Sequence, residues 1–229
     1  MTITPTTLFR ASGVAASLAG LIFVGVQINH PHMDVTSITT TDVIARDLLK
    51  LLMAALALAG LTGMYLRQVT KIGLLGLLGY VLFSAGFLLI LGTAFVAAFI
   101  LPTLAHSAPD YVSDVIAAVN NGKAIGDIGL MQTVIYVTGI AYLAGGFMFG
   151  IALFRANVLA RWASALLAVG TLATIAISIM PQYERLFAIP TGVALVGLGY
   201  SLWRSQRTPA ARPVPGSPVS AQLEPAAAR

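Results

Sequence analysis

Polar and apolar positions do not alternate along this chain. They fall into long apolar blocks separated by short polar joints. The first block covers residues 11–28 and closes in Gln27-Ile28-Asn29-His30. Arg10 precedes it, as in a signal peptide, but the run is longer than a usual signal core and lacks a small-x-small cleavage site, so it reads as an uncleaved first helix. A polar segment from Asn29 to Thr41 follows. There Thr39, Thr40, Thr41 and Asp42 form a helix-start signature: hydroxyl caps, then an acid in the first turn. The second apolar block is 45–66. The third, 72–101, carries no charge and is longer than a hydrocarbon core of about 30 Å requires; Pro102 is expected to close it. The fourth, fifth and sixth are 128–154, 158–180 and 186–203, the fifth ended by Pro181 and the sixth holding Pro190 in its first turns.

Blocks of this length read as membrane-spanning helices. A membrane barrel would show apolar–polar alternation, and backbone groups in oil must be satisfied within the segment, which leaves helices. The expected fold is an all-α polytopic bundle of about six spans over residues 1–204. Between spans three and four, Pro109 and Asp110 open a short helix with an apolar stripe of Tyr111, Val115, Ile116 and Val119, ended by Asn120-Asn121-Gly122. Such a helix is expected to lie along the membrane surface. Residues 205–229 contain five prolines and few large apolar residues, and read as a disordered tail.

Composition agrees. Of 229 residues, 58% are hydrophobic and only 9% charged, against about 25% charged in a soluble domain. Cys is absent, which excludes disulfides, thiolate metal sites and cysteine nucleophiles. The net charge of +5 acquires meaning once it is sorted by side. Six spans put both termini on one side, with Arg10, Arg67, Lys71, Arg155, Arg161, Arg204, Arg207, Arg212 and Arg229, and Glu224 as the only acid. The other side has Arg46, Lys50, Lys123 and Arg185 against Asp34, Asp42, Asp47, Asp110, Asp114, Asp127 and Glu184. Basic residues favour the cytoplasmic face, so both termini are expected inside a bacterial plasma membrane. The basic residues fit that face, and nucleic-acid binding has no support. Trp162, Tyr183, Tyr200 and Trp203 fall near predicted boundaries, where amphipathic rings prefer to lie.

Lipid provides no hydrophobic drive between helices, so small residues set where backbones approach. Candidate contacts are Gly13 and Ser17; Ala55, Ala59 and Gly63; Gly73, Gly76 and Gly79; and Gly139, Gly145, Gly146 and Gly150. They read as contacts inside the bundle rather than a dimer seam.

Candidate chemistry is sparse. No ionisable residue falls in the middle of a predicted span, unlike the usual pattern of ion-coupled transporters and proton pumps. No nucleophile elbow, His-Glu-x-x-His, phosphate loop or paired-glutamate helix occurs, so no catalytic residue and no cofactor is expected. Two polar groups stand out at the far side from the termini. Arg46, Asp47, Lys50, Asp127, Gln132, Tyr136, Glu184 and Arg185 could line a rim pocket, with Asp47 and Lys50 spaced to pair on one helix face. Their plainer reading is headgroup anchors and structural ion pairs. His30, His32, Asp34 and His106 offer zinc- or copper-ligand types, at a spacing equally suited to an ordinary polar loop.

Asp47-Leu48-Leu49, Tyr65-Leu66-Arg67, Gly150-Ile151-Ala152-Leu153-Phe154-Arg155 and Leu159-Ala160-Arg161-Trp162-Ala163 give residues 10–204 a pattern that resembles uncharacterised six-span bacterial membrane proteins grouped as a domain of unknown function. The chain departs from it at Ala156-Asn157-Val158. The resemblance implies the six-helix fold and supplies no activity or site residues. The sequence thus points to a non-enzymatic multi-pass protein that binds a lipid or hydrophobic molecule or assists another membrane component. The alternatives are a small permease and an extracytoplasmic His/Asp metal site. Membrane lipids are the expected partners; a homo-oligomer or a membrane-protein partner stays open.

Overall fold

The computed structural model describes residues 4–28, 33–121, 123–173 and 184–206, with the side chains of 121 and 184–187 excepted. Every extended element among them is helical. Helix α1 is Pro5–Gly25, six residues earlier at its start than the apolar block. The Thr4 hydroxyl accepts from the Thr7 amide at 3.3 Å and Pro5 occupies the first turn, so capping chemistry rather than hydropathy sets this end. A 3-10 turn at Ser37–Thr39 leads into α2, Thr41–Arg67. Helix α3 is Gly73–Phe99.

Pro102 does not simply end the third block. It lies in the first turn of a new helix, α4, Leu101–Ser107, where its missing amide costs nothing. Helix α5 follows at Pro109–Asn121 and α6 at Met131–Ala156. Asn157, φ 53°, ends α6 in the left-handed conformation that Asn tolerates better than most residues. Helix α7 is described over Arg161–Ala173 and α8 over Glu184–Arg204, with Pro190 inside it. The remainder of the fifth block, Tyr183 and the tail from 207 onward lie outside the described residues.

Four of these helices, α1, α2, α3 and α6, are long and apolar enough to cross a membrane. The bundle closes as a ring: α1 packs on α2, α2 on α3, α3 on α6, α6 on α7, α7 on α8, and α8 back on α1. Close approaches hold the ring. An ideal Cβ on Gly13 would lie 2.7 Å from the Gly199 carbonyl oxygen, and one on Gly86 2.9 Å from the Tyr142 amide nitrogen. Gly60 faces Ala16, Gly63 faces Ser12, Gly145 faces Phe83 and Gly150 faces Ala168. Of the expected small contacts, Ala55, Ala59, Gly73 and Gly139 are not at seams; the two alanines are exposed and the two glycines face open space. Their place on α2 is taken by Ala54 and Ala57, one helix face away.

Two cores result. The larger fills the ring with Phe83, Phe87, Phe149, Leu61, Met64, Leu153, Leu195 and Leu198, all fully buried. The smaller joins the 3-10 turn, α4 and α5 to the ring through Ile38, Val43, Leu101, Val112, Val115, Ile116 and Ile128. The stripe of α5 is therefore covered by protein at Val115 and Ile116, while Val119 is exposed. These elements form a cap over one end of the ring. The opposite end carries residue 4, the α2–α3 and α6–α7 turns, and residue 206, where the Arg10 guanidinium donates to the Gln206 carbonyl at 3.4 Å.

Candidate functional site at the capped end

Between the cap and the ring lie two adjoining cavities. The outer one, about 390 Å³, is walled by Met33 and Ile38 before α2, Asp47 and Lys50 on α2, Ile90 and Thr93 on α3, and Val115, Ile116 and Asn120 on α5. The inner one, about 340 Å³, is lined by Phe23, Met53, Ile90, Thr138 and Tyr142. Gln27, Lys50, Ile90 and Ala188 border both. Each has the size of a pocket for a small organic ligand, and apolar side chains dominate its wall.

The inner cavity ends on aromatic rings. Tyr142 packs on Phe83 and Phe87 with centroids 5.4 and 5.8 Å apart, and those two rings meet edge-on at 4.9 Å. Below them Phe149, Leu61, Met64 and Leu153 fill the ring. The Tyr142 and Thr191 hydroxyls are both buried and lie next to each other.

One ion pair stands in this apolar setting. The Lys50 Nζ donates to Asp47 Oδ1 at 2.8 Å, the three-residue spacing placing both on one face of α2. The Asp47 side chain is 2% exposed and that of Lys50 29%. Asp47 Oδ2 is buried and has no partner. Asp47 thus points into the protein, not toward lipid headgroups. A carboxylate is taken out of water only with a counter-charge at hand, and Lys50 supplies it.

The other expected rim residues disperse. Arg46 pairs with Asp42 (Nε to Oδ2, 3.1 Å) and donates to the carbonyls of Ile28 at 3.0 Å and Val26 at 3.4 Å, closing the end of α1. Asp127 accepts from the Gly129 amide at 2.8 Å, in a turn that Gly129 allows with φ 59°. Gln132 Oε1 accepts from the Ala124 amide at 2.8 Å and tethers the α5–α6 connection. Tyr136 is exposed, and the side chains of Glu184 and Arg185 lie outside the described residues. Of the six whose side chains are described, Asp47 and Lys50 alone line the cavities. Sequence reasoning missed Gln27, Thr93, Asn120 and Tyr142, whose isolated polar positions acquire a common site only through the ring.

Of the histidine group, His30 and His32 lie outside the described residues and His106 is exposed on α4. Asp34 Oδ1 accepts from the Thr36 hydroxyl at 2.6 Å and the amides of Ser37 at 2.7 Å and Thr36 at 2.9 Å. These bonds, led by the Thr36 hydroxyl, hold the Asp34 carboxyl down at about 2. Among the described residues no group of three or more His, Asp or Glu could hold a metal ion. Comparison with protein-family models, with curated proteins and with solved structures finds no match for this chain.

Proposed function

We propose that this chain is a six-span protein of the bacterial plasma membrane, with both termini in the cytoplasm, that binds a lipid or other hydrophobic molecule beneath its cap and carries out no catalysis of its own. One observation carries the reading: two adjoining, apolar-walled cavities meet at Lys50, whose ammonium is paired with the buried Asp47 carboxylate. A site of that kind accepts an apolar body and orients it by one polar contact. Support for six crossings comes from the ring, in which α7 and α8 pack side by side with the four long apolar helices, and from the absence of charge between Leu186 and Trp203. Support for the sidedness comes from Arg10, Arg67, Lys71, Arg155, Arg161 and Arg204, which share the uncapped end. The pattern that resembles six-span bacterial membrane proteins agrees with this reading.

The test is native mass spectrometry of protein extracted from its own membrane. A bound hydrophobic molecule is expected on the unaltered chain and lost in Ala188→Trp, which fills the junction of the two cavities, with helical content preserved. Gly139→Leu, at a position that borders the inner cavity with nothing within 4 Å of a would-be Cβ, serves as a second blocking variant. No bound molecule, or the same one on all three proteins, overturns the proposal; so does turnover of a substrate by the purified chain alone.

A small permease is the second reading, favoured by the presence of an ionisable pair inside the bundle. Under it Asp47→Asn abolishes uptake in proteoliposomes while leaving the fold intact. The fully buried Phe149, Leu61, Met64 and Leu153 below the cavities favour a dead-end site over a path across the bundle.

A further inference from the structure

The cavity walls constrain the head of the ligand as well as its tail. Asp47 and Lys50 are the only charged residues bordering either cavity among the described residues, and they are joined to each other at 2.8 Å. Their formal charges cancel. A guest bearing one full charge would lose its hydration and find no free counter-ion among the described residues. A zwitterionic head could be matched only by splitting the existing pair. An uncharged head has no such conflict. A hydroxyl accepts from an ammonium without needing a charge of its own, and Lys50, 29% exposed, presents its ammonium to both cavities while the Asp47 carboxylate stays buried. Bonds to ionised groups are roughly twice as strong as neutral ones, so one hydroxyl group suffices to orient the molecule. Gln27 and Asn120 add amides near the same spot.

The tail follows from the inner cavity. Lys50 stands at its mouth, and Phe23, Met53, Ile90 and Tyr142 line its depth. Its volume of about 340 Å³ is that of a drug-sized group rather than of a two-chain lipid.

Resting on the cavity reading above, we propose that the ligand is an uncharged single-chain amphipath with a hydroxyl-bearing head, the head at Asp47 and Lys50 and the chain in the inner cavity. The probes are four oleyl compounds with one photoactivatable diazirine in the chain: monooleoylglycerol, oleate, oleylamine and oleoyl lysophosphatidylethanolamine. Each is added at equal mole fraction to the full chain in phosphatidylcholine nanodiscs, and crosslinks are mapped by mass spectrometry. The glycerol probe is expected to label peptides holding Phe23, Met53 and Tyr142 at least about ten-fold more than either singly charged probe or the zwitterion. In Asp47→Leu/Lys50→Leu, which removes both charges together and leaves no orphan, that preference is expected to vanish. Equal or stronger labelling by a charged or zwitterionic probe, lost in Ala188→Trp, overturns the headgroup assignment and leaves the cavity reading standing. Labelling that persists in Ala188→Trp, or none at these peptides by any probe, overturns both.

Discussion

At the scale of single residues, the ionisable groups near the cap divide by what surrounds them. Asp34 is exposed, yet its carboxylate gathers three donors from Thr36 and Ser37 and nucleates the 3-10 turn that carries Ile38 into the smaller core. Because its folded pKa of about 2 lies below its ordinary value of 3.8, the group contributes stability that is present above pH 3.8 and lost as pH falls through about 2. A carbon-detected NMR titration of Asp34 is expected to show a midpoint near 2, moving toward 3.8 in Thr36→Val/Ser37→Ala. An unshifted midpoint in the unaltered protein would remove this turn from the account. Asp47, by contrast, is buried and relies on a single neighbouring ammonium. It is one residue from Arg46, which spends its donors on Asp42 and the end of α1. Adjacent positions on a helix face different ways, so one serves the surface and the other the cavity.

At the scale of elements, the seams are set by absent side chains. The α1–α8 crossing brings Gly13 against Gly199 and Gly20 against Gly192, with the Ser17 hydroxyl donating to the Gly13 carbonyl at 3.0 Å. A side chain at Gly13 would meet backbone of α8, which cannot swing aside as a side-chain end can. Gly13→Val is therefore expected to destabilise the protein by about 1–3 kcal/mol, the usual cost of overpacking. Gly139→Ala, with nothing within 4 Å of its would-be Cβ, is expected to be neutral or to stabilise by up to about 1 kcal/mol. Thermal unfolding of both variants in one detergent measures the difference; equal melting temperatures would show that this crossing does not limit stability.

At the scale of the whole molecule, ring closure and charge segregation describe the same object from two sides. Helices α1 and α8 lie against each other, so residues 4 and 206 share the uncapped end with Arg10, Arg67, Lys71, Arg155, Arg161 and Arg204, while Asp34, Asp42, Asp47, Asp110, Asp114 and Asp127 lie toward the cap. With no native cysteine, single cysteines report sidedness cleanly. Asp110→Cys on α5 is expected to react with a membrane-impermeant maleimide in intact cells, and Gln206→Cys only after permeabilisation. The reverse pattern would invert the topology and place the cap in the cytoplasm.

Long apolar blocks, the start of α2 beside Asp42 and the spacing of Asp47 and Lys50 were legible in the chain, because helix formation in oil and pairing three residues apart depend on local order alone; the expected hydroxyl cap does not form, since the Thr40 hydroxyl donates to the Ser37 carbonyl instead. Which polar residues converge was not. Gln27, Lys50, Thr93, Asn120 and Tyr142 come from five helices or their ends, and their meeting depends on the order of the ring and the rotation of each helix. Hydropathy carries little information about rotation where both lipid and core are apolar, as the displacement of the α2 seam from Ala55 and Ala59 to Ala54 and Ala57 illustrates. The tertiary structure alone decided that Arg46 closes a helix end, that Asp127 shapes a turn, and that Asp47 faces a cavity instead of the headgroups, since each outcome depends on what a neighbouring helix presents across the gap.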